Sequence, residues 1–163
     1  MGDALALIKS HGYKIFLVSN QAVVARGMIS LEEMIALNDE ILALVQQQNS
    51  KAIFDDVFLC PHHPKATLEA YRIDCECRKP KAGMLKQAEK KYQLELSQSI
   101  IIGDRLSDVY AGKSVGCKGF QLLTENQTAP LIETTVTLKP EWLIPDKKFN
   151  SLIQAARYIQ EHL

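Results

Sequence analysis

Residues 59–83 read LCPHHPKATLEAYRIDCECRKPKAG, and positions 60 to 77 hold three of the chain's four cysteines and two of its four histidines. The order is Cys60-x-His62, an interval of twelve residues, then Cys75-x-Cys77. Thiolate and imidazole are zinc ligands, and three cysteines with one histidine complete a tetrahedral shell. Twelve residues are enough chain to fold back and bring the two pairs together. The intervening segment is too polar to build a core, so a metal would hold its shape. His63 is expected outside the shell, because successive side chains point apart. The alternative is a set of unlinked thiols; a disulfide would require an oxidising compartment. With all four ligands from protein, no position is left for substrate, so the predicted zinc is structural. Its task would be to fix the backbone that carries Arg78 and Lys79. Cys117, between Gly116 and Lys118, reads as a small buried residue.

Three further groups have chemistry in their types. Ser19-Asn20-Gln21 follows a short apolar run. A hydroxyl and an amide where a parallel strand stops can donate to a phosphate or oxyanion, or can simply cap a turn. Arg78-Lys79 offers two consecutive cations suited to a phosphate dianion, or a solvated basic pair. Gly103-Asp104-Arg105-Leu106-Ser107-Asp108 ends another apolar run. Its carboxylates suit Mg²⁺, a cation that takes oxygen ligands and keeps several waters. Asp104 or Ser107 can equally cap the helix that follows. A hydroxyl, a cation and a carboxylate at strand ends are the parts needed for magnesium-assisted phosphoryl transfer.

The elements that must position these groups alternate along the chain. Helical patterns cover 3–10, stopped by Gly12, and 31–47, opened by a Ser30/Glu33 capping box. The apolar positions of the second, Leu31, Met34, Ile35, Leu37, Ile41, Leu42 and Val45, mostly follow the helical spacing. Further helices are predicted over 83–93, 107–115 and 149–162, the last with Leu152, Ile153, Ala155, Ala156 and Ile159 inward. Strands are predicted over 14–18, 56–59, 99–102 and 119–123, with a short edge strand at Trp142-Leu143-Ile144. Segments 19–29 and 124–140 read as loops. Alternating strands and helices define an α/β fold, a Rossmann-like parallel sheet with helices on both faces. Such sheets bind ligands at the C-terminal ends of their strands. The 163 residues suit a single domain, 1–163, with the metal loop at about 60–77. Lys+Arg and Asp+Glu both total 19, so bulk charge argues against nucleic acid or a membrane surface as partner. No apolar run approaches the ~20 residues of a membrane span. The expectation is a cytoplasmic protein with reduced thiols.

Ser19-Asn20-Gln21, Ala25-Arg26-Gly27, Cys60-Pro61-His62-His63-Pro64, Cys75-Glu76-Cys77-Arg78-Lys79-Pro80 and Gly103-Asp104-Arg105-Leu106-Ser107-Asp108 together resemble the haloacid dehalogenase superfamily. Within it they resemble the branch of heptose-bisphosphate and histidinol-phosphate phosphatases, from about residue 4 to the C-terminus. The metal loop joined to Arg-Lys-Pro is the most specific part. The resemblance implies an aspartyl-phosphate mechanism with Mg²⁺. Carried over by position, Ser19 binds the transferring phosphoryl group and Asn20, with Gln21, shapes the substrate pocket. Lys79 neutralises charge on the phosphoryl group and Arg78 binds substrate phosphate. Asp104 is a magnesium ligand, Asp108 a more remote support, and Cys60, His62, Cys75 and Cys77 bind structural Zn²⁺.

Two departures bear on activity. The branch usually reads Asn-Gln-Ser-Gly in its first loop, whereas this chain has Asn20-Gln21-Ala22-Val23. The branch also opens with a strand ending in Asp-x-Asp-Gly-Thr, which supplies nucleophile and general acid/base. That motif is absent from these residues, and Asp3 lies in a helical stretch with no strand before it. The first, central strand of the family sheet is therefore expected to be missing, as in an N-terminally truncated chain of altered sheet and low stability, without phosphatase activity. The implied reaction is conversion of D-glycero-D-manno-heptose 1,7-bisphosphate to the 1-phosphate, in precursor synthesis for lipopolysaccharide. Histidinol phosphate or another small phosphate monoester is the alternative substrate. A non-catalytic zinc- and phosphate-binding module is the alternative of another class. The expected partner is a small phosphorylated molecule, and the expected state a monomer.

Overall fold

Gly2–Ser10 forms the first helix, α1, and its chain reverses at Gly12, whose φ of +82° is a left-handed conformation open to glycine. The structure, a computed structural model, describes residues 1–123, 132 and 134–163. After α1 come strand β1 (Phe16–Asn20), helix α2 (Ala22–Ala25), helix α3 (Leu31–Gln48) and strand β2 (Asp56–Cys60). Beyond the metal loop lie α4 (Gly83–Tyr92), β3 (Ile100–Gly103), α5 (Leu106–Lys113), β4 (Lys118–Leu122), β5 (Lys147–Phe149) and α6 (Leu152–His162). The chain divides into two compact units, 1–74 with 152–163, and 75–151.

In the first unit β1 and β2 pair in parallel, Ser19 opposite Leu59 and Asn20 opposite Cys60. Helix α1 packs on α6 and on α3. Its buried Ala4, Leu5, Ala6 and Ile8, with Ala155, Ala156 and Ile159 of α6, supply the apolar interior of that layer. The capping box predicted at α3 is formed: Glu33 N–H donates to Ser30 Oγ at 3.0 Å, and Ser30 N–H to the Glu33 carboxylate at 2.7 Å. Asp55 ties α1 to the entry of β1. Its carboxylate accepts from Lys9 Nζ at 2.7 Å and from the Ile15 N–H at 2.6 Å.

In the second unit β3, β4 and β5 form a parallel sheet in that order, Ile101 opposite Gly119 and Phe120 opposite Lys147. Phe120, Val109, Ala111, Met84 and Ala88 fill its core, and Phe120 meets the Phe149 ring edge-on at 5.5 Å. Gly112 lets α5 lie close on β3: a Cβ there would meet Ile101 Cγ2 at 2.2 Å. Asp146 fastens the entry to β5, accepting from Lys113 Nζ at 2.8 Å and from the Gly119 N–H at 2.7 Å.

The parallel α/β class is as expected, but hydrogen bonding groups the strands into two ladders, β1–β2 and β3–β4–β5. Other differences are local. The first strand begins two residues later than its apolar run suggests, because Ile15 is held by Asp55, and so Ser19 and Asn20 are its last two residues. Segment 19–29 contains α2, whose Val24 and Ala25 are fully buried. Trp142-Leu143-Ile144 is not an edge strand. Pro140–Leu143 is a 3₁₀ turn, and the edge strand is Lys147–Phe149. Pro140 pre-sets the turn, and Trp142 packs edge-on against Tyr110 at 5.4 Å with Lys139 over its ring. Helix α3 forms as its spacing predicts, with its apolar positions only partly covered. Met34, Asn38 and Val45 are buried, while Ile35, Leu37, Ile41 and Leu44 are 44–58% exposed. The loop expected over 124–140 lies in part outside the described residues.

Burial opposes ionisation of Asp55, but the bonds from Lys9 and Ile15 and the charges of Lys9 and Lys14 outweigh it and hold its carboxyl below the ordinary value. A lowered folded value gives stability that is present above the unfolded value of about 3.9 and is lost as pH falls through the folded one. Asp55→Asn is expected to lower unfolding free energy by about 1 kcal/mol at pH 7. Urea unfolding repeated near pH 3 should show that difference shrinking.

Candidate active-site groups and metal cluster

Cys60 closes β2 and is fully buried, and the chain beyond it turns back on itself. The His63 N–H donates to the Tyr71 carbonyl at 3.0 Å, and Arg72 Nε donates to the Ala66 carbonyl at 2.9 Å. Thr67 and Leu68 N–H both donate to the Ala25 carbonyl at 3.1 Å, which seats the loop on the turn after α2. Cys60 and His62 lie on the first unit's side of the loop and Cys75 and Cys77 open the second, and together the four are a Cys/His group of metal-ligand type. Cys60 Sγ lies 3.9 Å from His62 Nδ1, and the Cys75 and Cys77 sulfurs are 2.9 Å apart. The donor types suit Zn²⁺, while the two sulfurs at 2.9 Å stand closer than the roughly 3.8 Å that two Zn–S bonds of about 2.3 Å would set. His63 is buried with its Nδ1 accepting from the Lys65 N–H at 3.0 Å, and it stands outside the cluster as its adjacency to His62 predicts. Cys117 is buried, and desolvation, with the charge of Glu89, pushes its thiol up to about 11. It is an inert core residue.

In the first unit, Ser19 and Asn20 end β1, and Gln21 continues the ladder by donating its main-chain N–H to the Cys60 carbonyl at 2.8 Å. The Gln21 side-chain amide donates to Ser19 Oγ at 3.0 Å.

In the second unit, Glu76 and Gly83 close the segment that carries the cations: the Gly83 N–H donates to the Glu76 carbonyl at 2.9 Å. Between them Arg78 accepts from the Lys81 N–H at 2.9 Å, and the Lys79–Pro80 bond is cis. Lys79 Nζ is 2.7 Å from Asp108 Oδ1, and both side chains are only 10% exposed. Asp108 Oδ2 accepts the Arg105 N–H at 3.1 Å. Asp108 also lies against Gly103, where a Cβ would come within 2.3 Å of its Oδ2. Glycine at the end of β3 therefore makes room for this carboxylate.

This corrects the reading of the β3–α5 turn as one capped by Asp104 or Ser107. The residue before α5 is Arg105, and Asp108, in the first turn, satisfies its N–H. Asp104 stays exposed at the strand end, where it offers a hard oxygen ligand, while Asp108 is turned inward onto Lys79. Asp108 is the residue whose weight sequence reasoning missed. The signal was its spacing, four residues after Asp104 and in the first turn of α5, which directs it back over the strand end. Ser19, Asn20 and Gln21 belong to the first unit, and Arg78, Lys79 and Asp104 to the second.

Residues 76–148, which carry the strand-end Gly-Asp turn and the Lys79–Asp108 pair, match the HAD-hydrolase-like family model. The D-glycero-beta-D-manno-heptose-1,7-bisphosphate 7-phosphatase of Rhodopseudomonas palustris is 40% identical over 123 residues, 76% of this chain and 67% of the relative. The D-glycero-alpha-D-manno-heptose-1,7-bisphosphate 7-phosphatase of Photorhabdus laumondii is 35% identical over 133 residues, 81% of this chain and 72% of the relative. Another relative, from Haemophilus influenzae, is covered over 60% of its length. Among solved structures, the D,D-heptose 1,7-bisphosphate phosphatase of B. bronchiseptica, complexed with magnesium and phosphate, superposes with a TM-score of 0.75. It is 23% identical, and the match covers 99% of this chain and 82% of that one. The chain belongs to the heptose-1,7-bisphosphate phosphatase family of HAD-like phosphoric monoester hydrolases.

Breaking a buried ion pair leaves a charge that was desolvated for its partner. Asp108→Ala is expected to lower unfolding free energy by about 3 kcal/mol, with the loss reduced in the Lys79→Met background. Chemical denaturation of the two single variants and the double variant measures the coupling.

Proposed function

We propose that these residues form the phosphate-binding part of a phosphatase acting on a heptose 1,7-bisphosphate, removing the 7-phosphate to leave the 1-phosphate. The observation that carries this reading is the buried Lys79–Asp108 pair beside an exposed Asp104 at the end of β3, in a chain of this family. A lysine held by a buried carboxylate is a fixed positive charge, suited to offset charge on a phosphoryl oxygen. Ser19, at the end of β1, donates its hydroxyl to another such oxygen. Arg78 offers a planar fork to the phosphate, and Asn20 shapes the sugar pocket. Asp104 would hold Mg²⁺, which when bound neutralises phosphate charge and orients the ester. Cys60, His62, Cys75 and Cys77 would hold Zn²⁺ with no open position, closing the loop that leads into Arg78 and Lys79. The family's place for this reaction is the synthesis of heptose precursors of lipopolysaccharide in the cytoplasm, and the chain would act as a monomer.

Nothing in the 163 residues reads Asp-x-Asp-Gly-Thr, so they provide groups that bind and neutralise the ester but not the carboxylate that attacks it. The same observation favours, as a second reading, a zinc- and phosphate-binding module without turnover. With Mg²⁺ present, heptose 1,7-bisphosphate added to a protein of these residues should show shifted ³¹P resonances and no release of inorganic phosphate. Lys79→Met should abolish the shift. Release of phosphate by the pure protein would overturn the absence of turnover, and unshifted resonances would overturn the binding site. Histidinol phosphate in a parallel titration separates the alternative substrate.

Zinc has its own test. The protein should bind one equivalent, and chelation should lower the melting temperature by about 5 °C or more. Cys75→Ser should lose the metal. Retention of a full equivalent by this variant would remove Cys75 from the ligand set.

A further inference from the structure

We propose that Gln21 is a positioning residue that aims the hydroxyl proton of Ser19 outward, toward a phosphoryl oxygen. The inference rests on the reading of Ser19 as a phosphate donor. Ser19 is one of the last two residues of β1, and Gln21 lies just past the strand's end, with φ −104° and ψ 67°. Gln21 cannot drift, because its main-chain N–H is bonded to the Cys60 carbonyl at 2.8 Å, one step beyond the Asn20–Cys60 pair of the ladder. From that anchored position its side-chain Nε2 donates to Ser19 Oγ at 3.0 Å.

A hydroxyl has one proton and two acceptor positions. Left alone, a serine tends to turn its proton onto a nearby main-chain carbonyl. An N–H already directed at the oxygen fills one acceptor position and turns the proton away from the donor. The polarised O–H is then also a stronger donor. Gln21 precedes α2, yet its side chain makes no capping bond to that helix. Its amide is therefore not explained by helix capping. One of its two amide N–H groups is committed to Ser19.

A double-mutant cycle on inorganic phosphate binding decides the point, with affinity read from ³¹P NMR titration of the full chain. Gln21→Met keeps length and volume and removes the donor. It should weaken phosphate binding roughly threefold to tenfold, the worth of one hydrogen bond. Ser19→Ala should weaken binding at least as much. The double variant should bind no worse than Ser19→Ala alone, because Gln21 acts only through that hydroxyl. Equal losses in both backgrounds would mean that Gln21 touches phosphate itself, and would overturn the assignment. So would unchanged affinity in Gln21→Met. Unchanged affinity in Ser19→Ala, or no binding by the unaltered chain, would overturn the phosphate-site reading and the inference with it. Melting temperatures confirm that each variant is folded, and Gln21→Leu serves as a second donorless variant should Gln21→Met melt early.

Discussion

The Lys79–Asp108 ion pair is the constraint around which the second unit arranges its polar groups. Placing an ammonium and a carboxylate at 10% exposure is costly unless their remaining hydrogen-bonding capacity is met. Here one oxygen of Asp108 takes Lys79 and the other takes the N–H of Arg105. The room for this comes from Gly103, which ends β3 without a side chain. One residue choice thus lets a carboxylate on α5 fold back over the strand end and reach a lysine that follows the metal loop. The turn also sorts its two acids: Asp108 is turned inward onto Lys79, and Asp104 is exposed.

The cysteines of the chain divide by the same logic of environment. Cys60, Cys75, Cys77 and His62 are the donor types that a borderline-soft divalent ion takes. Cys117 sits in the core, where desolvation disfavours its thiolate and makes it unreactive. The loop between the ligand pairs is tied to the turn after α2 through the Ala25 carbonyl. Its shape thus follows from main-chain bonds as well as from any metal.

At the end of β1 the first unit presents a smaller polar group with the same economy. The Cys60 carbonyl holds Gln21, and Gln21 holds Ser19. A strand, a metal-loop residue and a hydroxyl are connected by two hydrogen bonds. The two bonds fix the orientation of the Ser19 side chain before any partner arrives.

Much of this was legible along the chain. Residue type and spacing alone marked the four metal-cluster residues, the exclusion of His63, the capping box at Ser30, and the strand ends at Ser19 and Asp104, because each rests on neighbours within a few positions or on intrinsic ligand chemistry. The exposed face of α3 was not legible: helical periodicity reports which residues share a side, not whether anything covers it. Nor was the turn at Trp142, whose ring is satisfied by Tyr110, 32 positions earlier. Above all, nothing local says that Asp108 reaches Lys79 across 29 residues. That pairing depends on how closely a helix can approach a strand end. Sequence by itself determined the α/β class and the kinds of chemistry available. Only the tertiary structure decided which carboxylate is buried against Lys79 and which is exposed, because burial and long-range pairing are properties of packing.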